Sequence, residues 1–155
     1  KLPYYASINR CKTKDIKKKY NKKARSSNYK PLFEWPLSGS LIASFGKKDA
    51  GRSNDGINII AAKGNPVRAA LKGKVIYSGN ELPAWGNLIL IKHVNGWTTA
   101  YAHLDKILVK VGDRVNTGNI IGSVGATGNV SKHQLHFQVR KNSKPVKPKK
   151  NKKKK

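Results

Sequence analysis

The chain has 155 residues, room for one domain of ordinary size plus tails and too little for two. Its formal net charge of +26, from 33 Lys and Arg against 7 Asp and Glu, favours an anionic partner: nucleic acid, acidic lipid headgroups or the phosphate- and carboxylate-bearing polymers of a cell wall. A single cysteine, Cys11, excludes an intrachain disulfide, and no apolar run is long enough for a helical membrane span or a signal-peptide core.

The basicity belongs mostly to the ends. Residues 1–30 hold 11 basic side chains against 1 acidic, residues 141–155 hold 9 against none, and residues 31–140 hold 13 against 6. Residues 1–30 are rich in Lys, Asn and Ser with too few apolar positions for a core face, which predicts a flexible basic segment. A short helix around Asp15–Ala24 is opposed by its own like charges. Residues 2–10 lack the sustained apolar run that would mark Cys11 for lipidation.

From Leu32 the character changes. Phe33, Trp35 and Pro36 introduce apolar bulk and open a folded unit expected over residues 31–148. Leu41–Phe45 reads as a first strand stopped at Gly46, and Lys47–Ser53 as a polar loop. In Asn54-Asp55-Gly56-Ile57-Asn58-Ile59-Ile60, strand alternation puts Asn54, Gly56 and Asn58 on one face and Asp55, Ile57 and Ile59 on the other. Two short strands follow in Gly64–Ala70 and Gly73–Gly79, and both are echoed in Gly112–Val115 and Gly118–Gly122, where a Gly, two residues and a Val again precede a Gly-led apolar strand. Taken alone, the second copy also fits a lipoyl or biotinyl carrier domain, a reading that ranks below the one the other motifs support.

Between the copies, Trp85-Gly86-Asn87 opens the apolar run Leu88–His93, suited to a central strand, and Asn95-Gly96 signals a tight hairpin. The return strand, Trp97–Leu104, places Trp97, Thr99, Tyr101 and His103 on one face. His93, ending an apolar strand, reads as a hydrogen-bonded edge residue. A Gly-rich loop over residues 124–129 leads to Ser131–Arg140, where Leu135, Phe137 and Val139 alternate with Gln134, His136 and Gln138. A period of two is that of a strand with one face in the core and the other in a groove, so Gln134 and His136 share one space. Residues 149–155 form a Lys-rich tail.

These motifs resemble, in order and spacing, those of the lysostaphin-type (LytM) zinc peptidases that cut peptidoglycan cross-bridges. The resemblance runs from about Trp35 to Pro148 and closes on Pro145-Val146-Lys147-Pro148. It implies an all-β, LytM-type fold (duplicated hybrid motif), an antiparallel sheet with hairpins forming an open groove. In the family, His-x-Gly-x-Asp supplies two zinc ligands, Tyr-x-His-Leu one catalytic His, and His-x-His a catalytic His followed by the third ligand. Here the first motif carries Asn54 and Asn58 in the ligand positions. The second is intact as Tyr101-Ala102-His103-Leu104, and in the third Gln134 replaces the catalytic His while His136 remains.

A hydrolytic zinc site needs three protein ligands and one open position for water, which the metal acidifies to a pKa of about 7. A primary amide is a poor ligand, because its nitrogen lone pair is delocalised and its oxygen is neutral. With Asn54 and Asn58 in two ligand positions and Gln134 in place of a titratable base, neither a metal nor catalysis is expected. His103 and His136 stand as remnants of the catalytic and ligand sets. His133, three residues from His136, faces away from it in a regular strand. The replacements are polar, of similar reach, and able to donate and accept, which predicts that Asn54, Asn58, His103, Gln134 and His136 form a polar network shaping a groove, with Tyr101 beside it. Relaxed decay of an unused site is the competing explanation.

Degenerate domains of this kind resemble murein hydrolase activators. The resemblance implies a periplasmic or cell-envelope protein, with any export signal outside this chain, that binds a peptidoglycan amidase and promotes septal cleavage and cell separation. Peptidoglycan strands are a further possible ligand. Two alternatives stay open: a peptidoglycan metalloendopeptidase with an altered zinc site, in which zinc would be the cofactor, and anionic-polymer or nucleic-acid binding through the basic tails. No nucleic-acid motif is present, so nucleic acid is not the expected partner.

Overall fold

The structure is a computed structural model that describes residues 30–47 and 51–150. The expectations for a flexible segment over residues 1–30, for a helix at Asp15–Ala24, for Cys11 and for the last Lys residues lie outside the described residues. Chain contacts divide the molecule into a unit over residues 1–31 and another over 32–155, and the strands lie in the second.

In chain order the strands are β1 (Ser40–Ala43), β2 (Gly46–Lys47), β3 (Ser53–Asn54), β4 (Ile57–Ile60), β5 (Pro66–Arg68), β6 (Gly73–Gly79), β7 (Asn87–Lys92), β8 (Trp97–Ile107), β9 (Arg114–Val115), β10 (Ile120–Val124), β11 (Gln134–Lys141) and β12 (Lys144–Val146). Ten of them form one sheet in the order β1-β4-β11-β8-β7-β6-β9, with β10 bridging β8 and β5 and β12 added to β11. β2 and β3 make a separate ribbon. The fold is the expected all-β arrangement, with small differences at its first elements. The first strand ends at Ala43, and Gly46, expected to stop it, opens β2, which pairs β3 antiparallel across the segment read as a loop.

The internal repeat is structural. Asn65 donates its backbone N–H to Ala62 in the first copy as Asp113 does to Lys110 in the second. Each copy then gives a strand to the other: β5 of the first pairs with β10 of the second, and β6 of the first with β9 of the second. The two copies are thus joined by strand exchange, while β6 also pairs β7 and β10 also pairs β8. Asn95 and Gly96 both adopt positive φ, 55° and 75°, and Trp97 N–H closes the turn on Val94 O. That is the geometry a two-residue turn needs to match strand twist.

One face of the sheet is the core. Ile57 and Ile59 of β4, Leu135 and Phe137 of β11, Ile89 and Ile91 of β7 and Val75 of β6 are all buried there. In β11 they alternate with the polar residues Gln134, His136 and Gln138, whereas in β7 they alternate with Leu88 and Leu90, which are apolar on the other face as well. Tyr101 belongs to this face. It is fully buried, its ring lies 5.4 Å from that of Phe137, and burial pushes its phenol up to about 12. Its hydroxyl accepts the Ala70 N–H at 2.9 Å and lies 2.9 Å from Thr99 Oγ1, which in turn is 2.8 Å from His93 Nε2. His93 is thus hydrogen-bonded and buried rather than at an edge. Tyr101→Phe strands the buried Ala70 N–H without an acceptor, so it lowers stability by about 1–3 kcal/mol. Urea unfolding of the two proteins should show a lower midpoint with an unchanged m-value, and equal midpoints would remove the hydroxyl from the core's support.

Candidate functional site

The opposite face of the sheet carries the polar residues of β11. Pairing sets His136 against Asn58 of β4 and against Ala102 of β8. β4 approaches β11 this closely because position 56 is Gly: a Cβ there would stand 2.2 Å from Phe137 O. Asp55 and Gly56 bend the chain between β3 and β4, so the alternation expected from Asn54 through Ile59 is broken. Asn54 accepts the Gly56 N–H on its own Oδ1 at 3.2 Å, a side-chain-closed turn, and folds back to donate Nδ2 to Asn58 Oδ1 at 3.1 Å. Asp55, expected on the core face with Ile57 and Ile59, is instead exposed and lies 3.5 Å from Arg140 Nη2.

A directional chain of hydrogen bonds runs the length of this face. At one end Gln134 Nε2 donates to Lys132 O at 3.1 Å. A carbonyl only accepts, which turns Gln134 Oε1 toward Asn58 Nδ2 at 2.8 Å and leaves Asn58 Oδ1 facing His136 Nδ1 at 3.0 Å. At the other end Arg140 Nε donates to Gln138 Oε1 at 2.8 Å, which aims Gln138 Nε2 at His136 Nε2 at 2.9 Å. Both ends therefore dictate one state: His136 is a neutral imidazole that donates from Nδ1 and accepts at Nε2.

His103 reaches this face through a bulge. Between β7 and β8 the register shifts so that 101–104 span against 87–89, and His103 takes a left-handed φ of 63°. An extra residue in one strand re-aims the side chains that follow. Regular alternation would have kept His103 on the Tyr101 face. The bulge places its ring 6.1 Å from His136 instead. Tyr101 and His103 therefore do not share a face, and the structure places Tyr101 in the core and outside the groove. The bulge is held by two loops: His103 N–H donates to Trp85 O at 2.9 Å, and Nδ1 donates to Thr127 O at 2.8 Å. Thr127 is itself anchored on Leu104 O and accepts the Asn87 N–H. The loops touch so closely that a Cβ at Gly128 would stand 2.6 Å from Ala84 O. Trp85 also packs edge-on against His136, ring centroids 5.4 Å apart. Leu88, Ala100 and Ala102, with Tyr77, Trp85 and Leu90 against them, make the apolar floor.

The structure links Asn54, Asn58, Gln134 and His136 by hydrogen bonds and sets His103 beside them by ring contact alone, and it leaves Tyr101 and the exposed His133 outside. Sequence reasoning missed Gln138, Arg140 and Asp55 as members of the chain, and Trp85 and Thr127 as supports. The period of two in β11, carried two residues further than Gln138, would have found Arg140. The supports come from separate loops and leave no local signal.

Does the donor set fit the zinc ion that the fold implies? Asn58 Oδ1 accepts from both Asn54 and His136, so both of its lone pairs are engaged, and both nitrogens of His136 have partners. One imidazole and two amides lack the charge and the basicity of a hydrolytic zinc site. The residues do not fit the ion.

Fold and cleft together are those of a LytM-type peptidase domain. The family model described as Peptidase family M23 matches residues 52–148, and the chain belongs to that family. It is 50% identical over 111 residues to the cell division protein DipM of Caulobacter vibrioides, covering 72% of this chain and 18% of that protein. Its identity to the murein hydrolase activator NlpD of Escherichia coli is 41% over 116 residues, covering 75% of this chain and 30% of NlpD. The chain therefore spans less than a third of the length of either relative. Among solved structures, a zinc containing peptidase from Vibrio cholerae superposes with a TM-score of 0.69 at 33% identity, covering 76% of this chain and 39% of that one.

Burial pushes the His136 imidazole down to about 4, with His103 and Arg140 adding to the effect and Asp55 opposing it. Burial also lowers His103, against the Thr127 carbonyl, and His93, against the Lys72 carbonyl. An unfolded histidine titrates near 6.5. Above that pH His136 is neutral in both states and its contribution is whole. Between about 6.5 and 4 the unfolded chain takes up the proton and the folded chain does not, so stability falls as pH falls. For His136 alone the loss amounts to about 3 kcal/mol. Urea midpoints of wild type and His136→Gln at pH 7.5 and pH 4.5 should show a clearly shallower fall for the variant. Parallel falls would mean that His136 is not the group held neutral.

Proposed function

We propose that this domain is a non-catalytic member of its family that activates a peptidoglycan amidase in the cell envelope, and so promotes septal murein cleavage and cell separation. Three things support the reading. Two relatives bear the names of a murein hydrolase activator and a cell division protein. The cleft holds amides where a zinc peptidase holds an imidazole and a carboxylate. Its polar groups are hydrogen-bonded to one another, so the groove keeps its shape with no ion inside. The observation that carries the reading is Asn58, whose oxygen is committed to His136 and Asn54.

A cleft built this way can grip a partner but has no acidified water. His103 is held as a neutral imidazole with Nδ1 engaged on Thr127. Its Nε2 is then an acceptor that suits an N–H or O–H of a docked chain.

Dye-labelled sacculi test the proposal directly. The purified protein alone should release no dye, and adding it to candidate amidases from the same organism should raise their release several-fold. Release by the protein alone, abolished by chelator, would establish the endopeptidase alternative. Metal analysis gives a second measure: zinc should remain far below one equivalent after dialysis at neutral pH, and near-stoichiometric zinc would overturn the non-catalytic reading.

A further inference from the structure

The cleft occupies only part of its sheet face. One rung beyond Gln138, strand pairing sets Arg140 of β11 opposite Thr98 of β8, Thr98 opposite Lys92 of β7, Lys92 opposite Lys74 of β6, and Lys74 opposite Arg114 of β9. Residues directly opposite in an antiparallel pair project to the same face. The flanking residues Val139, Thr99, Ile91, Val75 and Val115 are all buried on the core side. The row therefore lies on the cleft side, as the bond from Arg140 to Gln138 also requires.

Four cations thus stand in one line across five strands, over about 19 Å at the usual interstrand spacing. Arg140 is matched by Asp55 at one end. Among the described residues, Lys74, Lys92 and Arg114 have no carboxylate within ion-pair distance, and the three are exposed. Like charges set directly opposite one another oppose the pairing of their strands. Three in a row therefore mark a surface whose counter-charge comes from outside the domain.

The next row toward the cleft is apolar. Tyr77 of β6 lies opposite Leu90 of β7, and Leu90 opposite Ala100 of β8, with Tyr77 and Leu90 only partly buried. Two stripes, apolar and cationic, run side by side and lead into the amide-rich cleft, with His136 about 13 Å from Arg140 along β11.

We infer that the row Lys74, Lys92 and Arg114 is a docking rail for an acidic polypeptide surface, with the Tyr77–Leu90 stripe receiving apolar side chains of the same partner. An apolar centre with a charged margin is the anatomy of a protein interface. A glycan or a nucleic acid could stack on Tyr77 but would use the cations and leave Leu90 and Ala100 uncovered. The inference goes beyond the activator reading and does not require it, since the test contains no amidase.

The test compares three proteins: wild type, Lys74→Glu/Lys92→Glu/Arg114→Glu, and a control with the same change in charge, Lys106→Glu/Lys149→Glu/Lys150→Glu. Thermal midpoints first establish that all three fold. Binding is measured at 0.15 M salt, on the order of physiological ionic strength, to poly(Glu,Tyr), to poly-glutamate and to purified sacculi. The rail variant should bind poly(Glu,Tyr) at least about tenfold more weakly than wild type, while the control loses less than about threefold. Wild type should also prefer poly(Glu,Tyr) to poly-glutamate. Equal losses in the two variants, or no binding of poly(Glu,Tyr) by wild type, would overturn the inference. So would a loss confined to sacculi, which would assign the row to a wall polymer.

Discussion

Asn58 is the point on which the cleft depends. Its backbone pairs with His136 across β4 and β11, and its side chain joins three others: Nδ2 donates to Gln134, while Oδ1 accepts from His136 and from Asn54. One half-buried amide thereby fixes the position of a neighbouring strand, the fold-back of the β3–β4 bend and the protonation pattern of an imidazole. Buried polar groups are costly when half-satisfied and specifying when complete. The chain through Asn58 is complete at every link from Lys132 O to Arg140.

The second constraint is the bulge at His103. A left-handed non-glycine residue costs on the order of 1 kcal/mol and persists only where its surroundings over-determine it. Here they do, because two loops converge on the same residue: Trp85 O takes its N–H and Thr127 O takes its ring. The cleft wall is therefore made by long-range contacts between the 81–86 and 125–129 segments, and strand alternation alone would have built the cleft without its second histidine.

That contrast sets the limit of what could be read from the chain itself. The alternation from Gln134 to Val139 was visible, because a strand with one face in the core writes its period into the sequence. The Asn95-Gly96 turn was visible for a similar reason, since few other residue pairs adopt two successive positive φ values. The exchange of strands between the two repeats was legible only as an echo. Ala102-His103-Leu104 looks like any alternating tripeptide, so the bulge, and with it the true face of Tyr101, had no signature. Asp55 was misplaced because the Asn54 side chain competes with the strand for a backbone N–H, and a periodicity count does not include that competition.

The amides of the cleft also depend on one another, which argues against independent drift. Gln134 turns its oxygen to Asn58 because its own nitrogen is tied to Lys132 O. A carboxylate at position 58 would then face that oxygen with another oxygen, and the Nδ2 donor that joins them would be gone. An amide at 58 is therefore compatible with an amide at 134 in a way that a lone Asp would not be. From the other side, Arg140 turns Gln138 so that its nitrogen meets His136, which forces the imidazole proton onto Nδ1 and requires an acceptor at Asn58. Two chains of constraint, one starting at a backbone carbonyl and one at a guanidinium, arrive at the same oxygen with the same demand. Substitutions accumulated without a role would have no reason to agree on the direction of every hydrogen bond between them.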